Sequence, residues 1–381
     1  MKTDLIVAID LGASLTKSFY RYQVEGQVPL EGLLTSVSAV QRITASRYEL
    51  RQYVDDNTSQ IAFDGDYWTV GLNARHEATL ISATAPKVRH AIAKVLAVVG
   101  HILMQMAVAD ELDGVSIEVG VLLPLDEMRD SVELSERLAE FLHDFGFNGL
   151  RRDGMVVRQI HVLPEGYGMS RYATRFPSGV LMFGHRDISW VHIESDRFNA
   201  TSSIAIADSR AFPGWGMCRL LREMSYGFKD ELRAAAAIFA AGEDLKDKYL
   251  LKIVAPEDLP RLKREITEAR ELVWRQLWDE LAYTTVRSVE LVYGAGGNSF
   301  FWRHHLKQKL GSKVSFGGPL LTEMQERFGE LSKSPLLYRC ADCFGFWKSL
   351  LALADSRPQA EPKAVHSTVL RLEATRNVEA S

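Results

Sequence analysis

The stretch Leu5–Lys17, LIVAIDLGASLTK, ends an apolar run on an acid and follows it with a glycine, two hydroxyls and a lysine. Those residue types at that spacing suit phosphate chemistry. A carboxylate at Asp10 can hold Mg²⁺ directly or through its waters. Gly12 lacks a Cβ and lets backbone approach a ligand closely, beside Ala13. Ser14 and Thr16 supply hydroxyl donors, and Lys17 a cation, for phosphate oxygens. A strand and tight turn with surface polar residues fits the same letters, because one short glycine loop is not specific by itself. A second phosphate-type loop stands at Gly184, His185, Arg186 and Asp187, and a glycine turn at Gly294–Gly297.

Other chemistry-bearing residues carry less. Cys340 and Cys343 have the C-x-x-C spacing of zinc or redox sites, but no second Cys or His pair lies nearby in the sequence. His304 and His305 are adjacent, so on a helix they point different ways, which argues against a shared ligand.

The elements that must position these loops follow from apolar periodicity. Leu5–Ile9 reads as a strand buried on both faces, with Asp10 emerging at its carboxyl end. A β-rich stretch continues to Leu72, with DGDYWTVG as a hairpin closed around Asp64 and Gly65. Pro86 opens a long helix whose Ile92, Val95, Leu96, Val99, Ile102, Leu103 and Met106 form one core-facing stripe. Ile117–Pro124 and Val156–Pro164 read as buried strands either side of a helix at Val132–Leu142, so parallel strands are expected. The pattern restarts at Ser178. GVLMFG is a new strand, and ISWVHI and SSIAIA flank the turn SDRFNA as a hairpin. Helices are expected at Met217–Met224, Asp230–Ala241, Pro260–Leu281 and from Phe344. Trp274 and Trp278 read as core or lobe-contact residues. Beyond Asp355 the sequence loses its periodicity and reads as disordered.

At 381 residues the chain is long enough for two domains, and its 46% apolar and 25% charged residues are those of a globular protein. A formal net charge of −4 argues against a general electrostatic grip on nucleic acid. The N-terminus has no cleavage pattern of a signal peptide. The apolar region AIAKVLAVVGHILMQMAVA is interrupted by Lys94, His101 and Gln105 and reads as short of a membrane span. Three cysteines fit a reducing compartment, and a cytoplasmic location is expected.

The order of these loops resembles the actin, Hsp70 and sugar-kinase superfamily, in which two related lobes close on ATP. Lys17 lies seven residues after Asp10, as the lysine does in actin's first phosphate loop. The sequence is most similar to the bacterial and archaeal actin-like group of ParM (StbA-type) plasmid-segregation proteins. DGDYWTVGLNARHEA, VGVLLPLDEM and IHVLPEGYGM resemble that group's segments, and CADCFGFW its second connecting helix, where Ala341 and Gly345 allow close approach. The resemblance covers residues 4 to 350. It implies an α/β bilobed actin-like ATPase fold, with two RNase H-like lobes of mixed sheet flanked by helices around a nucleotide cleft. The lobes are expected at residues 1–175 and 176–355, with a tail at 356–381. It further implies ATP or GTP with Mg²⁺ held through Asp10, Glu165 as the carboxylate that orients the attacking water, and Gly294, Ala295, Gly296, Gly297 and Asn298 at the adenosine. A helix-start glutamate and a plain glycine-rich helix entry are the alternatives at those last two places.

One motif departs from the group's pattern. In LMFGHRDIS, Met182 stands where the second phosphate loop carries an aspartate, and Asp187 where it carries a threonine, although Gly184 is retained. Losing a metal-holding carboxylate removes about two to three decades of rate. His185 and Arg186 are candidates to supply charge instead, with Asp187 recovering part of the metal role; solvated turn residues are the alternative. The functional expectation is a ParM-like ATPase that stacks head to tail into filaments, with slow or modified hydrolysis. Its partners would be copies of itself and a DNA-binding adaptor, with no direct nucleic acid and no membrane. A non-hydrolysing nucleotide-binding scaffold and a small-molecule kinase of the same superfamily are the alternatives.

Overall fold

In a computed structural model, the structure describes residues 3–50, 55, 57–77, 86–106, 115–195, 202–205, 208–329 and 336–357. The described chain falls into two compact units. The first comprises the residues up to Glu165 together with those from Cys343, and the second runs from Gly166 to Asp342. The chain therefore changes unit at Glu165/Gly166 and again inside its last helix, at Asp342/Cys343, whereas the lobes were expected at 1–175 and 176–355.

The first unit is built on ten strands in chain order: β1 (Thr3–Leu11), β2 (Leu15–Val24), β3 (Leu30–Val37), β4 (Val40–Ile43), β5 (Thr58–Phe63), β6 (Asp66–Gly71), β7 (Val115–Leu123), β8 (Asp144–Phe147), β9 (Leu150–Asp153) and β10 (Val156–Pro164). Its main sheet has the order β10-β7-β1-β2-β3. β1 pairs with β7, and β7 with β10, in parallel, whereas β1, β2 and β3 are antiparallel. The sheet is mixed because short turns permit only antiparallel return, while the parallel neighbours need helical crossovers. β5 and β6 form the expected hairpin, closed at Asp64 and Gly65, both with positive φ.

The two crossover helices are α1 (Ala91–Gln105) and α2 (Ser131–His143). α1 is buried along its whole course from Ala91 to Leu103, Lys94 and His101 included, so the single stripe read from the sequence understates its burial. Val88–Gln105 is in fact long and apolar enough for a membrane span, correcting the sequence reading; its few polar residues do not lower the window enough. Here 72% of it is buried inside the protein. Its partners include α2, β1, β5, β6 and β8.

The C-terminal helix Leu336–Asp355 joins the first unit at Cys343 because its apolar face packs on this sheet. Phe344 lies 5.3 Å from Phe19 between ring centroids, and the Phe346 ring fills the space over Gly120, where a Cβ would come within 2.6 Å. Of the expected disordered tail, Ser356 and Arg357 are described. Arg357 donates to Glu118 and Gln159. Residues 358–381 lie outside the described residues.

The second unit continues with β11 (Ser178–Phe183), β12 (Ile188–Ser195), β13 (Ser202–Ile204), β14 (Arg210–Phe212), β15 (Leu291–Ala295) and β16 (Val314–Phe316). Its sheet order, β13-β12-β11-β15-β16, repeats that of the first unit, with β14 added beside β12. Again the first three strands are antiparallel and the last two join in parallel. Two copies of one mixed-sheet topology are what RNase H-like lobes require. The turn of the β12–β13 hairpin, 196–201, lies outside the described residues. Helix α3 (Leu259–Leu281) buries Ile266, Val273, Trp274, Leu277, Trp278 and Leu281 on one face. Trp274 stacks on Trp302 with centroids 5.7 Å apart, so these tryptophans belong to this unit's core.

Candidate functional site

The register of the β1–β2 hairpin explains the seven-residue spacing. The chain reverses after Leu11 so that Thr16 faces Leu11 and Lys17 faces Asp10 across the ladder. Directly opposed residues share a sheet face. The Lys17 Nζ donates to Asp10 Oδ2 in a tight ion pair whose partners are 7% and 4% exposed. Gly12 is required by the turn: a Cβ there would lie 2.4 Å from the Leu15 carbonyl oxygen and 3.2 Å from Lys17 Nζ. Ala13 and Ser14 complete the turn, and the Ser14 carbonyl accepts from Ser38 N at 3.5 Å. Thr16 lies on the opposite face from Lys17, where its hydroxyl meets Ser38 Oγ at 3.0 Å.

Glu165 follows the last residue of β10. Its backbone N–H donates to the Leu123 carbonyl at 2.7 Å, which fixes the carboxylate's root to the end of the parallel pair. Its side chain accepts from Lys87 Nζ in a second tight, buried ion pair. Burial holds the Glu165 carboxyl above the usual carboxylate range; Lys87 and Lys17 pull it down and Asp10 adds to the rise, so the net direction is up. The first unit thus gathers two carboxylates and two ammonium groups at strand ends and neighbouring turns. Lys87 escaped the sequence reading. Its signal was a cation directly after Pro86, followed by Arg89, ahead of the long apolar helix.

These residues fit a hydrated magnesium ion. Asp10 Oδ1 is buried with no hydrogen-bond partner. Such a lone carboxylate oxygen is costly unless a cation or its water completes it. An all-oxygen donor suits Mg²⁺, which keeps most of its waters.

In the second unit the loop after β11 is closed by its own residues. Gly184 N donates to the Asp187 carbonyl at 2.9 Å, and a Cβ on Gly184 would sit 2.7 Å from that oxygen. Arg186 Nε donates to Asp187 Oδ2 in a tight pair, and Asp187 Oδ1 accepts from Gly214 N at 3.0 Å. Both Asp187 oxygens are therefore engaged, one by Arg186 within the loop and one by Gly214 beyond β14, and Arg186 places its charge there. His185 is held down to about 4 by burial and by the Arg339 guanidinium, so its imidazole is neutral at pH 7. Met182 is buried in β11 opposite Ser189.

The glycine turn after β15 comes to this same loop. Asn298 Nδ2 donates to the Gly184 carbonyl at 2.6 Å, and Asn298 N to the Phe183 carbonyl at 3.0 Å. Gly294 and Ala295 end β15. Gly296 has φ +82°, and a Cβ on it would meet the Phe183 carbonyl at 2.7 Å. Gly297 faces Arg339, with 3.1 Å between a Cβ there and Nε. The two second-unit stretches singled out in the sequence thus form one cluster, to which the sequence reading did not assign Arg339.

The remaining candidates are packing residues. Cys343 Sγ donates to the Ala8 and Lys17 carbonyls at 3.4 and 3.5 Å, and Cys218, Cys340 and Cys343 are free thiols. His305 pairs with Glu271 at 2.8 Å, and its ring stands at 86° to that of His304.

No protein-family model matches the chain, and no curated protein matches it in sequence. Solved structures match it along nearly its whole length. The apo ParM protein of psk41 aligns with a TM-score of 0.54 at 12% identity, over 92% of this chain and 98% of that one. A 15-stranded ParM filament from Clostridium botulinum gives 0.57 at 14% identity, over 92% and 99%. The archaeal actin homologue Ta0583 gives 0.57 at 12% identity, over 91% and 99%. At such identities the likeness is one of fold, and the chain has the actin-like fold.

Proposed function

We propose that this chain is a filament-forming, ParM-like nucleotidase that binds a nucleoside triphosphate, ATP or GTP, with Mg²⁺. The observation that carries the reading is the buried Asp10–Lys17 pair with its orphaned Asp10 oxygen, in the same unit as the Glu165–Lys87 pair. The four charges cancel when no ligand is bound. A polyphosphate upsets that balance, drawing the Lys17 ammonium and leaving Asp10 to a cation.

Asp10 would hold the hydrated Mg²⁺, which when bound supplies positive charge to the phosphate oxygens. Lys17 then turns from Asp10 to phosphate, and the Gly12–Ser14 turn offers backbone amides and a hydroxyl. Glu165 accepts a proton from the attacking water. The water oxygen bonds to the terminal phosphorus as the bridging oxygen leaves with the nucleoside diphosphate. Gly294–Asn298 is proposed to take the nucleoside, as its resemblance to the adenosine motif implies. ParM filaments among the fold relatives support self-assembly, and through it a role in DNA segregation or cytoskeletal positioning via an adaptor, in the cytoplasm.

A second reading is a static scaffold that binds nucleotide without hydrolysing it. The self-neutralised Arg186–Asp187 pair and the buried Met182 favour it, because neither provides a second metal-holding carboxylate. Light scattering on addition of Mg-ATP or Mg-GTP, with phosphate release followed in the same cuvette, separates the two. Scattering that rises with nucleotide and decays as phosphate appears supports the dynamic filament. Scattering without phosphate selects the scaffold, and neither signal at any nucleotide concentration refutes the proposal.

A further inference from the structure

We infer that Lys87 is a positioning residue for the proposed hydrolysis, holding the Glu165 carboxylate by a direct ion pair so that it stays aimed at the end of β10. The inference rests on the reading given above.

The geometry is specific. Lys87 begins the turn that leads through Val88–His90 into α1, and that turn is itself tied down, because Val88 N donates to Glu127 Oε2 at 2.7 Å. The Lys87 ammonium is thus delivered to Glu165 from a fixed root. Glu165 is fixed in turn by its N–H bond to Leu123. Both partners are 9% exposed. Inside low dielectric an acid with no cation beside it takes up a proton, and a protonated acid cannot receive one from water.

The charged groups that face Glu165 are Lys87, Asp10 from β1 and Lys17 from β2, with Glu127 beside the Lys87 turn. Lys17 makes its direct contact with Asp10. Lys87 is therefore the cation in direct contact with Glu165, and it works against burial and Asp10 there without outweighing them.

The test uses full-length Lys87→Met, Lys87→Arg and Glu165→Gln. Lys87→Met is expected to lower kcat at pH 7 by about 10²-fold, the lower range of general-base effects, with the nucleotide Kd changed far less. Its acid limb in the pH–rate profile moves to higher pH, and Lys87→Arg restores most of the rate. A readout without nucleotide accompanies these: the carbon-13 carboxyl titration of Glu165 moves upward in Lys87→Met and stays in Lys87→Arg. Should the methionine variant not fold, Lys87→Gln carries the same test. An unmoved titration midpoint and acid limb in Lys87→Met overturn the inference. Failure of the underlying reading looks different: Glu165→Gln would then hydrolyse nucleotide like the wild type, or the wild type not at all, while the Glu165 titration still decides the clamp.

Discussion

Removing the cation from the Asp10–Lys17 pair provides a direct measure of how dry this site is. Lys17→Met keeps the length and apolar stem of the side chain but leaves Asp10 Oδ2 without its donor, next to an Oδ1 that already has none. With Asp10 only 4% exposed, water cannot replace the lost partner without opening the β1–β2 turn. Breaking a buried pair on one side costs about 3–5 kcal/mol. At roughly 2–4 °C per kcal/mol for a unit of this size, the melting transition of the first unit falls by about 6–20 °C. Replacing both partners, Asp10→Leu with Lys17→Met, removes the uncompensated charge, so the double variant lies within about 2 kcal/mol of the wild type. The double-mutant cycle, measured by urea unfolding without nucleotide so that lost binding does not intrude, then shows a coupling of at least about 4 kcal/mol. A Lys17→Met cost under about 1 kcal/mol, with additive single variants, would refute the claim that the pair is desolvated.

Three further outcomes follow from other parts of the structure. The Asp342 carboxylate, 2% exposed, accepts from Gly166 N at 2.7 Å and Met169 N at 2.9 Å, so Asp342→Ala is expected to cost about 2–4 kcal/mol and Asp342→Asn about half, read by chemical denaturation. Gly179 lies beneath Trp190, where a Cβ would come within 2.1 Å of the indole, so Gly179→Val should destabilise the second unit by about 1–3 kcal/mol, checked by thermal melting with near-ultraviolet dichroism of the tryptophans. His185 and His90 are both held down from 6.5 to about 4, His185 by burial and Arg339, His90 by burial, Lys94 and Arg89. The unfolded chain binds these protons first, so their stabilisation is complete above about pH 6.5 and is lost as pH falls toward 4; His185→Gln should flatten the second unit's part of that decline in a series of melts against pH.

The hairpin letters DGDYWTVG, the strand runs and the helix periodicities were readable because each is a local pattern of side chains and turn residues. The Asp10–Lys17 pairing is local too, since a hairpin register is set within a dozen residues, but the letters were read as two separate phosphate-loop ligands. Burial of α1 on all sides was not, because the layers that cover its second face come from β5, β6 and β8, apart from it in sequence. Nor was the unit change inside the last helix, which depends on whether Phe344 and Phe346 find Phe19 and Gly120. In the second loop the residue types invited a phosphate role for Arg186 and Asp187. Their mutual pairing and the Gly214 N–H appear only once the backbone is folded.

The sequence by itself determined the order of elements, the loops at the strand ends and the opposition of one acid to one lysine, because these depend on neighbours along the chain. The tertiary structure decided that Lys87 meets Glu165 across 78 residues, that Asn298 closes on Gly184, and that His185 is neutral. Each of those depends on how far water is excluded and which charge stands opposite, and both are set by segments distant in sequence.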